Sequence, residues 1–201
     1  MYTMKRKLKN IFCAFFVWLI ISFTQTLFGQ GAPSAFSTLK LNLDYVCNIN
    51  DNQFHQYWHP GQGAHLAVQT PFYWGDVLAG LQYVPHKKRT GTPSFDSYYV
   101  YLGWGYSLNL FRNMHWLNAL QAGNYYMVFD DPNINVTQRQ ESELGIALYS
   151  SLSLRLYKQL YGYGAVRYLK VFTHKRLELT YLSAGAAFVL KTPAWLVEVL
   201  K

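Results

Sequence analysis

From residue 36 onward, apolar and polar positions alternate one by one. The pattern is clearest where Leu39, Leu41, Leu43 and Tyr45 are set against Lys40, Asn42 and Asp44. Strand side chains point to opposite faces with a period of two, so this spacing predicts a strand that is greasy on one side and polar on the other. It recurs over 36–46, 63–70, 77–84, 97–110, 117–129, 143–155, 161–172 and 177–190. In 97–110, Tyr98, Val100, Leu102 and Trp104 share one face, and Tyr99, Tyr101, Gly103 and Gly105 share the other. Asn124 breaks the apolar face of 117–129, and Pro85 is expected to end the third strand because it cannot donate to a ladder. Strands of this kind separated by turn residues spell an eight-stranded, antiparallel, up-and-down transmembrane β-barrel with a polar, wet lumen.

The connections alternate in length, except that the last external loop, near 173–176, is short. Segments 47–62, 85–97 and 130–140 are long, whereas 71–76, 111–116 and 157–160 are short. Bacterial outer-membrane barrels have short periplasmic turns and longer external loops, so both mature termini are expected in the periplasm. Aromatic residues gather near strand ends, at Phe72, Tyr73, Trp74, Phe111, Trp116, Tyr157 and Tyr161, as interfacial girdles require.

The first thirty residues change the charge picture. Lys5, Arg6, Lys7 and Lys9 precede an apolar run over 11–23 and then a polar stretch ending Gly29-Gln30-Gly31. This is the layout of a cleavable secretory signal peptide over 1–30. Those four basic residues leave with it and no acidic residue does, so the formal charge of +8 falls to +4. A nucleic-acid partner, which needs a strongly basic mature domain, is not expected. Cys47 is then the lone cysteine, so no intrachain disulfide can form.

The remaining composition suits the barrel over 31–191. Only 14% of residues are charged while 18% are aromatic, including 17 Tyr, yet the mean hydropathy is −0.04. Residues 192–201 form a separate tail. Pro193 is placed to open a helix whose Trp195, Leu196, Val199 and Leu200 share one face, with a last strand as the competing reading. Such an amphipathic tail could dock the barrel on a larger outer-membrane complex.

With this strand count, turn asymmetry and strand length, the mature chain resembles the small outer-membrane barrels of the OmpX type and the transmembrane domain of OmpA. The resemblance implies a bacterial outer-membrane location and contact with outer-membrane lipid and lipopolysaccharide. It rests on architecture rather than on a signature motif. The chain departs from the pattern in lacking a plain final strand with a terminal aromatic, for which Phe188 is the nearest equivalent.

Candidate chemistry is sparse. Lys40, Asp44, His65, Glu143, Arg155 and Arg167 fall on the lumen face, where opposite charges should pair as a salt-bridged plug, because an eight-stranded barrel is only wide enough for side chains to fill. A proton or ion path is the competing reading of these residues. His86, Lys87, Lys88 and Arg89 sit in the second external loop, a candidate contact for lipopolysaccharide phosphates. His55 and His59 lie four apart but lack a third metal ligand, so no metal or other cofactor is expected. His174 has no serine placed beside it on the lipid face, so the serine and histidine of a lipid-modifying barrel enzyme are not found. A structural, adhesion or accessory-subunit role is expected, against a lipid A or phospholipid-modifying enzyme and a narrow pore.

Overall fold

The computed structural model describes residues 35–89, 92–130, 140–173, 176–195 and 198. The expected signal peptide, most of the loop over 130–140 and His174 lie outside the described residues. Nine strands run in the order β1 (Thr38–Asn48), β2 (Trp58–Pro60), β3 (Gly63–Phe72), β4 (Gly75–Lys88), β5 (Ser94–Phe111), β6 (Met114–Asp130), β7 (Gln140–Tyr157), β8 (Leu160–Val171) and β9 (Leu177–Lys191). β2 is a short strand of the first long loop, and the other eight form the barrel.

Each barrel strand pairs antiparallel with its sequence neighbours, and β1 closes on β9 from Thr38↔Lys191 to Asn48↔Tyr181. The paired residues can be followed around the sheet from Asn48 through Tyr181, Arg167, Tyr149, Ala119, Gly105 and Asp76 to Pro71. They return to β1 about ten residues below the start. That stagger tilts the strands by roughly 35–45° and leaves an interior only wide enough for side chains.

The predicted faces hold. On β1, Leu43 is 62% exposed and Asp44 4%, and on β5 Leu102 is 67% exposed and Tyr101 2%. Residue pairs 73–74, 112–113 and 158–159 make the three tight turns at one end, here the turn end; the longer connections gather at the other, the loop end. Tyr73 and Lys158 open two of these turns with φ of 51° and 35°, the left-handed conformation favoured in two-residue hairpins.

Two expectations are corrected. β4 does not stop at Pro85 but runs to Lys88. The Pro85 carbonyl accepts from Gly61 N at 2.7 Å, so its missing N–H points into the gap where β3 ends and β2 begins, and the ladder loses one bond there without breaking. Asn124 interrupts the apolar outer face as the spacing predicts, staying exposed there and donating to the Tyr126 hydroxyl at 3.2 Å.

The second correction concerns the lumen, which is not polar throughout. Its loop half is filled by Tyr99, Tyr125, Leu169, Val171, Leu179 and Tyr181, all 1% exposed or less. Hydrogen-bonding residues occupy the middle and the turn half.

Ala194 and Trp195 begin a helix after β9, and the face expected of Leu196, Val199 and Leu200 lies outside the described residues. Because β1 and β9 pair in full before that tail, removal of residues 192–201 is expected to leave the barrel closed. Detergent-extracted full-length and truncated proteins should both change gel mobility on boiling. Loss of that change on truncation would show that the tail completes the fold.

Candidate functional site

The middle of the lumen is built around Arg167, which β8 points inward and which is 3% exposed. Its Nε donates to Gln121 Oε1 at 3.0 Å, Nη1 donates to Gln82 Oε1, and Nη2 donates to the Tyr101 hydroxyl at 3.3 Å. The guanidinium also lies 5.1 Å from the Tyr101 ring centre and 5.2 Å from that of Tyr149, close enough for cation–π attraction. One cation is thus tied to residues of β4, β5, β6 and β7 and spans the barrel.

The counter-charge is Asp44 on β1, reached through a histidine. His65 Nδ1 lies 2.6 Å from Asp44 Oδ1, and its Nε2 lies 2.7 Å from the Tyr101 hydroxyl and 3.0 Å from Arg167 Nη2. A carboxylate can only accept, so Nδ1 carries the proton and Nε2 is the acceptor of the Tyr101 hydroxyl. Ser183 donates to the second Asp44 oxygen at 2.9 Å. The neutral imidazole relays between carboxylate and guanidinium, and the interior layer carries no net charge.

The order Asp, His, hydroxyl is that of an activated nucleophile. Here it is sealed, with Asp44, His65 and Tyr101 all 4% exposed or less. No substrate reaches the hydroxyl in this arrangement.

Of the six charged residues expected in the lumen, Asp44, His65 and Arg167 converge. Lys40 lies nearer the turn end, with Nζ 3.4 Å from Ser153 Oγ and 5.6 Å from the Tyr161 ring centre. It shares a cavity of about 160 Å³ with Gln69, Asp76, Ser107 and His115, and Ser107 donates to Asp76. Arg155 does not join the plug: it is exposed, and its Nε donates to the Lys158 carbonyl at 2.7 Å in the tight turn. Glu143 is half-buried toward the loop end and makes no ion pair among the described residues. Both sit where β7 leaves the packed interior, one at each end, so alternation gave the face but not the depth.

Charge was the wrong filter for the other members. Gln82, Tyr101, Gln121 and Tyr149 carry no charge at neutral pH, yet their place in the alternation points them inward.

The basic run of the second loop is divided. His86 is 1% exposed and turned inward, stacked on Phe95 with ring centres 4.3 Å apart, and so is removed from lipid. Lys87 and Lys88 are exposed, and Arg89 Nη1 donates to the His55 carbonyl at 2.9 Å. His55 and His59 also diverge. His55 is 6% exposed and His59 is exposed on β2. No group of three metal-ligating residues occurs among the described residues.

The first long loop is anchored on the core. A one-turn 3-10 helix (Gln53–Gln56) is capped by the Asn52 side chain and inserts Phe54 between Trp58 and His86, with ring centres 5.2 and 5.5 Å away. Asn52 Nδ2 donates to the Glu178 carbonyl at 2.6 Å, and Trp58 Nε1 to the Pro93 carbonyl at 2.8 Å. A cleft of about 630 Å³ remains beside this helix, lined in part by Tyr57, Trp58 and Arg176.

No protein-family model and no curated protein sequence matches this chain. Solved structures do match. Neisserial surface protein A aligns at 9% identity over 81% of this chain and all of that one, with a TM-score of 0.52. Ail, the attachment invasion locus protein of Yersinia pestis, in complex with the heparin analogue sucrose octasulfate, aligns at 12% identity over 79% and 100%, also at 0.52. The N-terminal β-barrel domain of Pseudomonas aeruginosa OprF aligns at 8% identity over 78% and 100%, at 0.50. The chain therefore has the fold of the small eight-stranded outer-membrane barrels.

Two outcomes are expected from this geometry. Arg167→Met leaves the Asp44 charge buried without its counter-charge, a change that costs about 3–5 kcal/mol. Urea unfolding in lipid vesicles should show that loss, and Arg167→Met combined with Asp44→Asn should recover part of it; simple additivity would contradict the pairing. At the loop end, burial holds the His55 imidazole below its ordinary value, although Asp51 lies 3.9 Å away. The neutral form therefore favours the closed loop. That contribution is complete above about pH 6.5 and is lost as the pH falls below it. Hydrogen-exchange protection over residues 49–62, taken relative to the intrinsic amide rate at each pH, should fall from pH 7.5 to 5.5 in the wild type, and less in His55→Asn.

Proposed function

We propose that this chain is a non-conducting bacterial outer-membrane barrel that holds a rigid binding platform at its loop end, serving adhesion or membrane integrity rather than catalysis or transport. The observation that carries this reading is the filled lumen. From Arg167 to the loop end the interior is one packed body, and it takes in Phe54 and Trp58 of the first long loop. A pore has no use for such a core, whereas a displayed surface does, because a fixed loop loses less entropy when it binds.

The fold shared with Ail and Neisserial surface protein A supports the outer-membrane location, and the short turns favour a periplasmic turn end. The sealed Asp44–His65–Tyr101 chain weighs against a lipid-modifying enzyme. Lys87 and Lys88 remain available for lipopolysaccharide phosphates, while docking on a larger complex through the tail stands as a separate expectation.

Orientation and activity are both open to test. With Cys47 replaced by Ser, a membrane-impermeant maleimide should label Asp51→Cys on intact cells and Asn113→Cys only after lysis; the reverse order would overturn the proposed orientation. Mass spectra of lipid A and phospholipid should be unchanged by expression, and a new acyl pattern would establish the enzyme reading instead.

A further inference from the structure

Charge is shared unevenly between the two ends of the barrel. Among the described residues, the exposed carboxylates of the barrel and its loops belong to Asp51, Asp130, Glu141 and Glu178, all at the loop end. At the turn end Asp76 is half-buried and accepts from Ser107, whereas Arg112, Arg155, Lys158 and Lys191 are exposed.

Three of these cations belong to two adjoining turns. Arg155 N donates to the Asn113 carbonyl at 2.8 Å and its Nε to the Lys158 carbonyl at 2.7 Å, so one residue ties turn 112–113 to turn 158–159. Lys158 Nζ lies 5.2 Å from the Tyr157 ring centre. Among the described residues no ion pair joins Arg112, Arg155 or Lys158 to a carboxylate. Like charges gathered on two joined turns repel, and an anion from outside the chain relieves that repulsion.

The wall of the barrel also changes there. β5 and β7 each carry one extra residue just before these turns, between Asn109 and Phe111 and between Arg155 and Tyr157. Such bulges re-aim side chains, and the alternation gives way: Leu110 with Phe111, and Leu156 with Tyr157, are exposed in succession. Arg112 follows Phe111 directly and Lys158 follows Tyr157. Aromatic girdles mark the boundary between hydrocarbon and headgroups, so these cations stand one step beyond it, at the level of lipid phosphates. The third tight turn, at Tyr73 and Trp74, has neither a basic residue nor a register shift.

We propose that the joined turns 112–113 and 158–159 form a site for the headgroup of an anionic phospholipid, with Arg112, Arg155 and Lys158 on its phosphate. The N–H groups of Arg155 beyond Nε make a planar fork suited to phosphate oxygens, and Lys158 adds a point charge. The acyl chains lie along Phe111, Leu156 and Tyr157, a contact that a soluble anion lacks. The proposal rests on the membrane-spanning reading, and holds whichever end of the barrel faces the periplasm.

The test titrates the full mature chain in detergent with phosphatidylglycerol or phosphatidylcholine and follows lipid-bound protein by native mass spectrometry. The wild type should bind phosphatidylglycerol about tenfold more tightly, in keeping with the attraction of clustered basic residues for anionic lipid. Arg112→Gln, Arg155→Gln and Lys158→Gln combined should bind the two lipids alike, while Arg112→Lys with Arg155→Lys retains most of the preference. Lys87→Gln with Lys88→Gln, at the loop end, should leave it unchanged.

Equal binding of the two lipids by the wild type would overturn the proposal, as would a preference that survives the triple substitution or disappears in the loop-end variant. Displacement of the lipid by inorganic phosphate would show a free-anion site and overturn the lipid assignment. The change of gel mobility on boiling, read on the same samples, confirms that each variant is a folded barrel. Should the triple variant lack it, Arg112→Gln alone, in an exposed turn, decides the matter by a partial loss of preference. Its absence in the wild type would overturn the membrane-spanning reading and this proposal with it.

Discussion

A sheet immersed in hydrocarbon cannot leave a backbone N–H or C=O unpaired, and that constraint governs the rest of this molecule. It requires β1 to close on β9, and closure of eight strands at this stagger fixes the width of the interior. Inward side chains must then fill a space they cannot enlarge, while outward ones face a solvent as apolar as themselves. Both faces of the sheet are thus buried from water through much of its height, which is why so few residues are charged.

The filling of that interior is stratified for electrostatic reasons. A guanidinium in a narrow interior needs several acceptors and a counter-charge, and Arg167 finds them in one layer. Asp44 provides the charge without touching Arg167, since His65 bridges them and leaves no proton unassigned. With charge gathered at that layer, the interior toward the loop end can be packed with Tyr, Leu and Val. That apolar body continues into the first long loop through Phe54 and Trp58, so membrane anchorage and loop rigidity share one core.

Most of the fold was legible in the sequence because strand period, turn spacing and the burial of alternate residues are local properties. The phases of Leu43, Leu102 and Leu148 could be read without knowing their neighbours, whereas the alternation around Arg167 is ambiguous in phase and its inward placing rested on Val166, Tyr168 and Phe172 being set outward. Depth along the barrel could not, because it depends on the register of all eight strands together. Arg155 and Glu143 share the phase of the lumen yet sit near its ends, and Gln82 and Gln121 meet Arg167 from distant points of the chain. Pro85 misled for a related reason: its missing donor matters only on the side where a partner stands, and there β3 gives way to β2. Low charge and neutral mean hydropathy point to a wet interior, and the small and polar inward residues of β5 to a polar one, whereas Tyr99, Tyr125 and Tyr181 fill the loop half with rings.

The central claim is that the lumen is sealed. Single-channel recording in planar bilayers tests it most directly, comparing the wild type with a variant in which Arg167, Gln82 and Gln121 are all replaced by Ala. The account predicts no conductance steps in the wild type at neutral pH. Discrete, reproducible steps from the wild type, weakened by bulky substitutions in the Arg167 layer, would contradict it.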